Sequence, residues 1–223
     1  MRNYFKFCIL IISFLSITSC FEIIEEIDLK SDGTGTMTYT LNLSKSKSKL
    51  ASIMLLDSIN GYKVPSRADI QKGLEDIVSE LNKAEGISNI KKTADYDNFV
   101  FSIQCDFNSV QNINKISNQI SSNQKNKAIK SSYAFDDNSG VFKRKYTHSE
   151  DVTKAYNKLN TENKKVFDDA SYTVIYRFEN EVTSQNNQKA KISKSKKAVM
   201  QRVSAMDVIN GTGDFSTQIL LKK

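Results

Sequence analysis

The sequence has no tryptophan, one proline, one histidine, eight glycines and three cysteines in 223 residues. So little proline and glycine excludes collagen-like and low-complexity architectures, and no self-similar period marks a repeat array. With His148 as the only histidine there is no cluster of imidazole ligands for zinc, so neither a metal site nor a cofactor is expected. The same residue would be the sole base of any Ser-His-Asp hydrolase, yet no serine stands in a G-x-S-x-G context; beside a helix start, His148 reads as a cap neighbour. Gly33-Thr34-Gly35 and Gly211-Thr212-Gly213 lack the lysine and following helix of a phosphate loop and read as turns. The acid pairs Glu25-Glu26, Asp136-Asp137 and Asp168-Asp169 are the remaining source of catalytic groups, since two carboxylates across a sugar suffice for glycoside hydrolysis. Each falls in an edge, turn or loop, where solvated acids are expected. The chain is therefore expected not to be an enzyme.

What is present is a globular composition behind a leader. The 39% of hydrophobic residues is too much for a disordered chain, and 26% charged residues with a mean hydropathy of −0.44 is too polar for a polytopic membrane protein. Arg2 and Lys6 form a short basic region, and Phe7 to Ile17 is apolar apart from Ser13 and Ser16. That run falls short of the roughly 20 residues a membrane-crossing helix needs, so residues 1–19 read as a signal peptide. It ends in Ile17-Thr18-Ser19-Cys20, small residues before a cysteine, and resembles the lipobox of bacterial lipoproteins with isoleucine in place of the commoner leucine. The resemblance implies cleavage between Ser19 and Cys20 and lipid attachment at Cys20. Several acyl chains there would make the anchor permanent, at about 0.8 kcal/mol per buried methylene. Glu22, the second residue after Cys20, is not the aspartate of an inner-membrane retention signal, so an outer-membrane location in the cell envelope is expected.

Cys8 leaves with the leader and Cys20 is acylated, so Cys105 stands alone and no intrachain disulfide forms in the mature chain. Phe99, Phe101, Ile103, Cys105 and Phe107 alternate with polar neighbours at strand period, which makes Cys105 a core thiol. The formal charge of +7 falls to +5 without Arg2 and Lys6. Basic residues gather at Lys45, Lys47 and Lys49, at Lys143-Arg144-Lys145 and from Lys189 to Lys197, and read as solvated faces, with a patch that touches anionic lipid or glycan as the alternative. Arginine is scarce and the chain is exported, so no nucleic-acid partner is expected.

Residues 20–223 read as a single α+β domain. Ile23, Ile27 and Leu29 alternate towards the turn Asp32-Gly33-Thr34-Gly35, and Met37, Tyr39, Leu41 and Leu43 alternate after it, giving a hairpin with one wet face. A short helix around Leu50 to Met54 precedes a longer one that opens with Ser66 and Asp69 and carries Ile70, Leu74, Ile77, Val78 and Leu81, a stripe assigned to the core, with a ligand groove as the minority reading. Strands near Ile87–Thr93 and Asn98–Phe107 lead to a helix from Asn108 with Val110, Ile113, Ile116 and Ile120. Strands near Ser131–Phe135 and Val141–Tyr146 lead to a helix capped by Thr147 and Glu150. The β-rich part 170–223 holds strands at Tyr172–Phe178, Ala190–Ile192, Val199–Val203 and Phe215–Leu221, with a loop at Thr183–Gln188. Hairpin then helix, three times, describes a mostly antiparallel sheet with three to four amphipathic helices packed on it. Tyr62, Tyr96 and Phe142, in or beside turns, are candidates to line a mouth for an acyl chain or sugar.

Tyr172-Thr173-Val174-Ile175-Tyr176-Arg177-Phe178, then Val182, Asn186, Ala190-Lys191-Ile192-Ser193 and Lys197-Ala198-Val199, resemble the end of LppM-type lipoprotein domains. Ile27-Asp28-Leu29 through Asp32-Gly33-Thr34-Gly35 to Tyr39-Thr40-Leu41 resemble their opening hairpin. The resemblance implies an envelope lipoprotein with an α+β domain and a hydrophobic lipid-binding cavity. The expected function is thus a lipid-anchored, non-enzymatic envelope protein that binds a lipid, another apolar ligand or an envelope partner. The alternatives are a purely structural or interaction lipoprotein without a cavity, and a carboxylate-based hydrolase.

Overall fold

The computed structural model describes residues 21–59, 61–115 and 130–223. Ser19, Cys20 and the leader, together with Ile116 and Ile120, lie outside them. β1 (Glu22–Leu29) and β2 (Gly35–Asn42) form the expected hairpin, with Glu22 opposite Asn42 and Leu29 opposite Gly35. In its turn Lys30 N–H donates to the Thr34 carbonyl at 2.8 Å and the Asp32 carboxylate accepts from Thr34 N–H at 2.9 Å. A side chain at Gly35 would collide with the Asp28 carbonyl and come within 2.6 Å of the Phe107 ring, so the close approach of these strands requires glycine.

α1 (Lys47–Ile53), β3 (Ser58–Ile59) and β4 (Tyr62–Lys63) lead into α2 (Arg67–Asn82). α2 starts as its sequence indicates: the Ser66 hydroxyl accepts from Asp69 N–H at 3.1 Å and the Asp69 carboxylate accepts from Ser66 N–H at 2.9 Å. β5 (Ile87–Asp95), β6 (Val100–Phe107), a helical segment over 110–115, β7 (Lys130–Asp136) and β8 (Val141–Thr147) follow. α3 (Glu150–Asn157) and α4 (Thr161–Lys164) connect to β9 (Ser171–Phe178), and the chain closes with β10 (Val182–Gln185), β11 (Lys191–Ile192), β12 (Ala198–Ser204), α5 (Ala205–Asn210) and β13 (Thr217–Leu221).

The architecture is α+β and mostly antiparallel, but its layers differ from one sheet covered by helices. A seven-stranded sheet, ordered β11-β12-β9-β1-β2-β6-β5, faces a four-stranded sheet ordered β10-β13-β8-β7. β1 pairs with β9 in parallel, joining segments about 150 residues apart in which no local turn announces a partner. Phe142 of the smaller sheet packs on Tyr176 and Phe178 of the larger at centroid distances of 5.0 and 5.6 Å, and Phe215 packs on Tyr172 at 5.0 Å. The main core lies between these faces, with Ile27, Leu29, Met37, Cys105, Phe107, Val174 and Ile219 buried in it.

Three local expectations are corrected. Thr147 ends β8 and caps nothing; the residue before α3 is Ser149, whose side chain makes no capping bond. Half of the expected loop at 183–188 is β10, paired with β13 in the smaller sheet, because polar side chains suit a strand with a wet outer face. α5 has no counterpart among the expected elements, although the Ser204 hydroxyl accepts from Asp207 N–H at 3.0 Å and Gly211 (φ +74) ends the helix, both ordinary capping signals. Among the described residues no helix is long and apolar enough to cross a membrane.

Candidate functional site

The inner face of the seven-stranded sheet follows strand parity: Ile23, Glu25, Ile27 and Leu29 on β1, Met37, Tyr39 and Leu41 on β2, Phe101, Ile103 and Cys105 on β6. Cross-strand partners bring these into rows, Tyr39 beside both Glu25 and Ile103, Leu41 beside both Ile23 and Phe101. One half of the face is covered by the smaller sheet. The other half lies under α2, and α2 touches down chiefly at its C-terminal end, where Leu81 and Ala84 form a small cluster with Ile87, Ile90 and Ile103. Ahead of that anchor the helix stands over the sheet and leaves an open groove of about 810 Å³. Ile70, Leu74 and Ile77 form its roof, and Ile23, Leu41 and Ile103 are part of its floor.

The helix stripe assigned to the core is thereby corrected. Ile77 is 40% exposed, Ile70, Leu74 and Val78 are half-buried, and Leu81 is the buried residue of α2. Likewise Tyr39 and Leu41, on the dry side of the first hairpin, remain 41% and 38% exposed because nothing fills the space above them. The volume lies within the several hundred to about 1,000 Å³ of small-molecule sites. Along α2 from Ile70 to Glu80 the groove extends roughly 15 Å at about 1.5 Å rise per residue. Asp76 and Glu80 border it towards the C-terminal end of α2, Glu80 paired with Lys83 at 2.7 Å; beyond its N-terminal end Lys63 is paired with Asp69 at 3.2 Å and Arg67 stands over the Tyr96 ring at 5.4 Å.

Beneath the closed half sits a polar cluster that the strand reading missed. Glu25 is fully buried, contrary to the solvated edge expected of it, and its carboxylate accepts from Tyr133 and Tyr172, both at 2.6 Å, and from Tyr39 at 3.1 Å. Arg144, from the run read as a solvated basic face, is buried opposite it. Arg144 Nη2 donates to Glu25 at 3.1 Å and to Ser131 at 3.0 Å, Nη1 to the Tyr176 hydroxyl at 2.8 Å and Nε to Ser131 at 3.2 Å. Four donors fill the acceptor capacity of the carboxylate, which is the condition for burying a charge at tolerable cost. Burial and the neighbouring Glu25 carboxylate push the hydroxyls of Tyr39 and Tyr172 well above the usual phenol range; burial does the same for Tyr133. Burial works against the Arg144 charge, but Glu25 and the tyrosines outweigh it and hold the guanidinium protonated. Tyr39 joins the two regions, its ring on the groove and its hydroxyl on Glu25. The cluster offers no open acid or base and ties the two sheets together.

Phe142 is core and no part of a mouth, Tyr96 packs edge-on against Phe101 at 5.6 Å, and the side chain of Tyr62 lies outside the described residues. Cys105 is buried and free, its thiol pushed up to about 11 by burial and by Asp106. His148 Nε2 is 3.2 Å from the Thr153 hydroxyl. Among the described residues no group of His, Cys, Asp and Glu could hold a metal ion. Asp136 accepts from Ser139 in its turn. Phe21, which follows Cys20 in sequence, packs edge-on against Phe167 at 5.5 Å directly ahead of β1.

The residues described so far define a two-sheet α+β domain with an apolar side groove. No family model and no curated protein matches the chain. Among solved structures it is similar to the folded domain of LppM from Mycobacterium tuberculosis, determined by NMR. The two share 11% sequence identity and a TM-score of 0.46 over 91% of this chain and 89% of that one.

Proposed function

We propose that the chain is a non-enzymatic lipoprotein of the cell envelope, held to the outer membrane by lipid on Cys20, whose domain binds the acyl chain of a lipid in the groove beneath α2. The observation that carries this reading is the groove itself: aliphatic side chains on roof and floor, open to solvent, where the neighbouring half of the same sheet face is packed shut. Each methylene moved from water into such a groove is worth about 0.8 kcal/mol, so a chain segment as long as the groove gives useful affinity without specific polar contacts. Asp76 disfavours an anionic head at one end and Arg67 favours it at the other, so the tail points along α2 towards its C-terminus.

Organic extraction of the purified full chain, followed by mass spectrometry, tests the reading. Wild-type protein is expected to carry a reproducible lipid that Ile77→Lys lacks, because the substitution projects an ammonium into the roof while costing the fold little at a 40% exposed position. Equal lipid in both proteins would overturn groove binding. For the anchor, a Cys20→Ala precursor is expected to leave the membrane fraction, and its retention there would overturn the lipoprotein assignment.

A further inference from the structure

We infer that the segment 44–64 is a membrane-contacting tip that docks on an anionic lipid bilayer and sets the mouth of the groove against the lipids it takes up. This rests on the groove reading above and adds the surface from which the ligand comes. Leu55 is 86% exposed, Leu56 50% and Ile59 38%, three large apolar side chains within five residues, where isolated exposure is the norm. The same segment carries Lys45, Lys47, Lys49 and Lys63 against the single acid Asp57. Lys47 hydrogen-bonds Asn98 at 3.1 Å with the Asp95 carboxylate close by, which offsets part of its charge, and Lys63 reaches Asp69 only in an exposed pair at 3.2 Å. Glu162 stands near Lys49 and offsets one charge. Apolar side chains flanked by lysines are the composition that enters a headgroup region, apolar part inward and ammonium groups among phosphates.

Position in the fold supports the same occupant. Glu22 pairs with Asn42, and Asn42 with Val100, so the start of β1, the end of β2 and the turn after β5 share one end of the domain. Phe21, next to the expected lipid on Cys20, therefore lies at the end from which segment 44–64 departs. Leu43 and Pro65, the residues on either side of that segment, both line the groove. Anchor, exposed leucines and groove mouth thus fall on one end. The turn between β1 and β2, together with Gly140 and its neighbours, occupies the other, with Gly33 against Phe135.

Because the chain has no tryptophan, one introduced indole reports on one place. Full-length Leu55→Trp, reconstituted in phosphatidylcholine–phosphatidylglycerol vesicles containing brominated lipid, is expected to lose most of its emission. Leu220→Trp, at an exposed position at the opposite end, is expected to lose none. Replacing Lys45, Lys47 and Lys49 by Ser should return Leu55→Trp to the unquenched level, each lysine contributing about fivefold to local partition. Raising salt to about 1 M, where the screening length falls to about 3 Å, should weaken the quenching as well. Equal quenching of the two tryptophans, or none at Leu55→Trp, would overturn membrane docking and leave a protein partner as the occupant. Comparing Leu55→Trp with and without Ile77→Lys separates the two proposals: quenching kept with no lipid recovered from either protein refutes the groove alone, and lipid recovered from Leu55→Trp but not from the Ile77→Lys double variant, with no quenching, refutes the docking alone.

Discussion

The two halves of the large sheet's inner face share β1, β2 and β6 and end differently. Where the four-stranded sheet covers it, Phe142, Tyr176, Phe107 and Ile219 are fully buried and even a charged pair, Glu25 with Arg144, is enclosed with every acceptor filled. Where α2 covers it, the side chains are as apolar but the cover is one helix anchored at one end, and the space stays open. A groove here needs no special residues. It needs only a cover that is too small for the face beneath it, which is why the lining resembles a core in composition.

The largest expected effect lies in the closed half. Arg144→Met removes the cation from beside a buried carboxylate and is expected to cost about 3–5 kcal/mol in urea melts, whereas Glu25→Leu combined with Arg144→Met should recover only part of that loss, because the buried Tyr133 and Tyr172 hydroxyls then lose their acceptor. If the double variant were no more stable than the single, the pair would be contributing more than mutual compensation. Phe142→Ala is expected to cost about 3–5 kcal/mol and Ile77→Ala, on the open side, under about 1 kcal/mol. Similar costs at both positions would mean that the groove is closed in solution.

Cys105 sharpens the comparison from the closed side. Its thiol is raised from 9.0 to about 11, which lowers the thiolate fraction near neutral pH about a hundredfold. Slow labelling by a thiol reagent in native buffer and fast labelling in urea is the expected pattern. The smallest effect belongs to Gly73 in the middle of α2, where an added Cβ meets nothing within 4 Å. Gly73→Ala should stabilise the protein by up to about 1 kcal/mol through helix propensity, without closing the groove.

Much of this contrast was written in local sequence, and some of it was not. Turn residues and period-2 alternation marked most strands, and Ser66 with Asp69 marked the start of α2. The buried pair was legible in principle: Glu25 occupies the same parity as Ile23, Ile27 and Leu29, and Arg144 lies between Phe142 and Tyr146. Reading them by their charged neighbours Glu26, Lys143 and Lys145 concealed it. The openness of the groove was not legible, because Ile70, Leu74 and Ile77 have the spacing of a packed helix, and how far a helix stands from its sheet depends on contacts remote in sequence. The parallel pairing of β1 with β9, which places Tyr172 and Tyr176 around Glu25 and Arg144, has no local signature either.

The central claim is that the open half of the sheet face takes an acyl chain. Titrating the full chain with cis-parinaric acid tests it most directly, read by the rise in probe emission for wild type, Ile77→Lys and Ile192→Lys, the last altering an exposed apolar residue far from the groove. Saturable one-to-one binding lost in Ile77→Lys and kept in Ile192→Lys is the result expected; binding that is non-saturable, or that survives Ile77→Lys unchanged, would contradict the account.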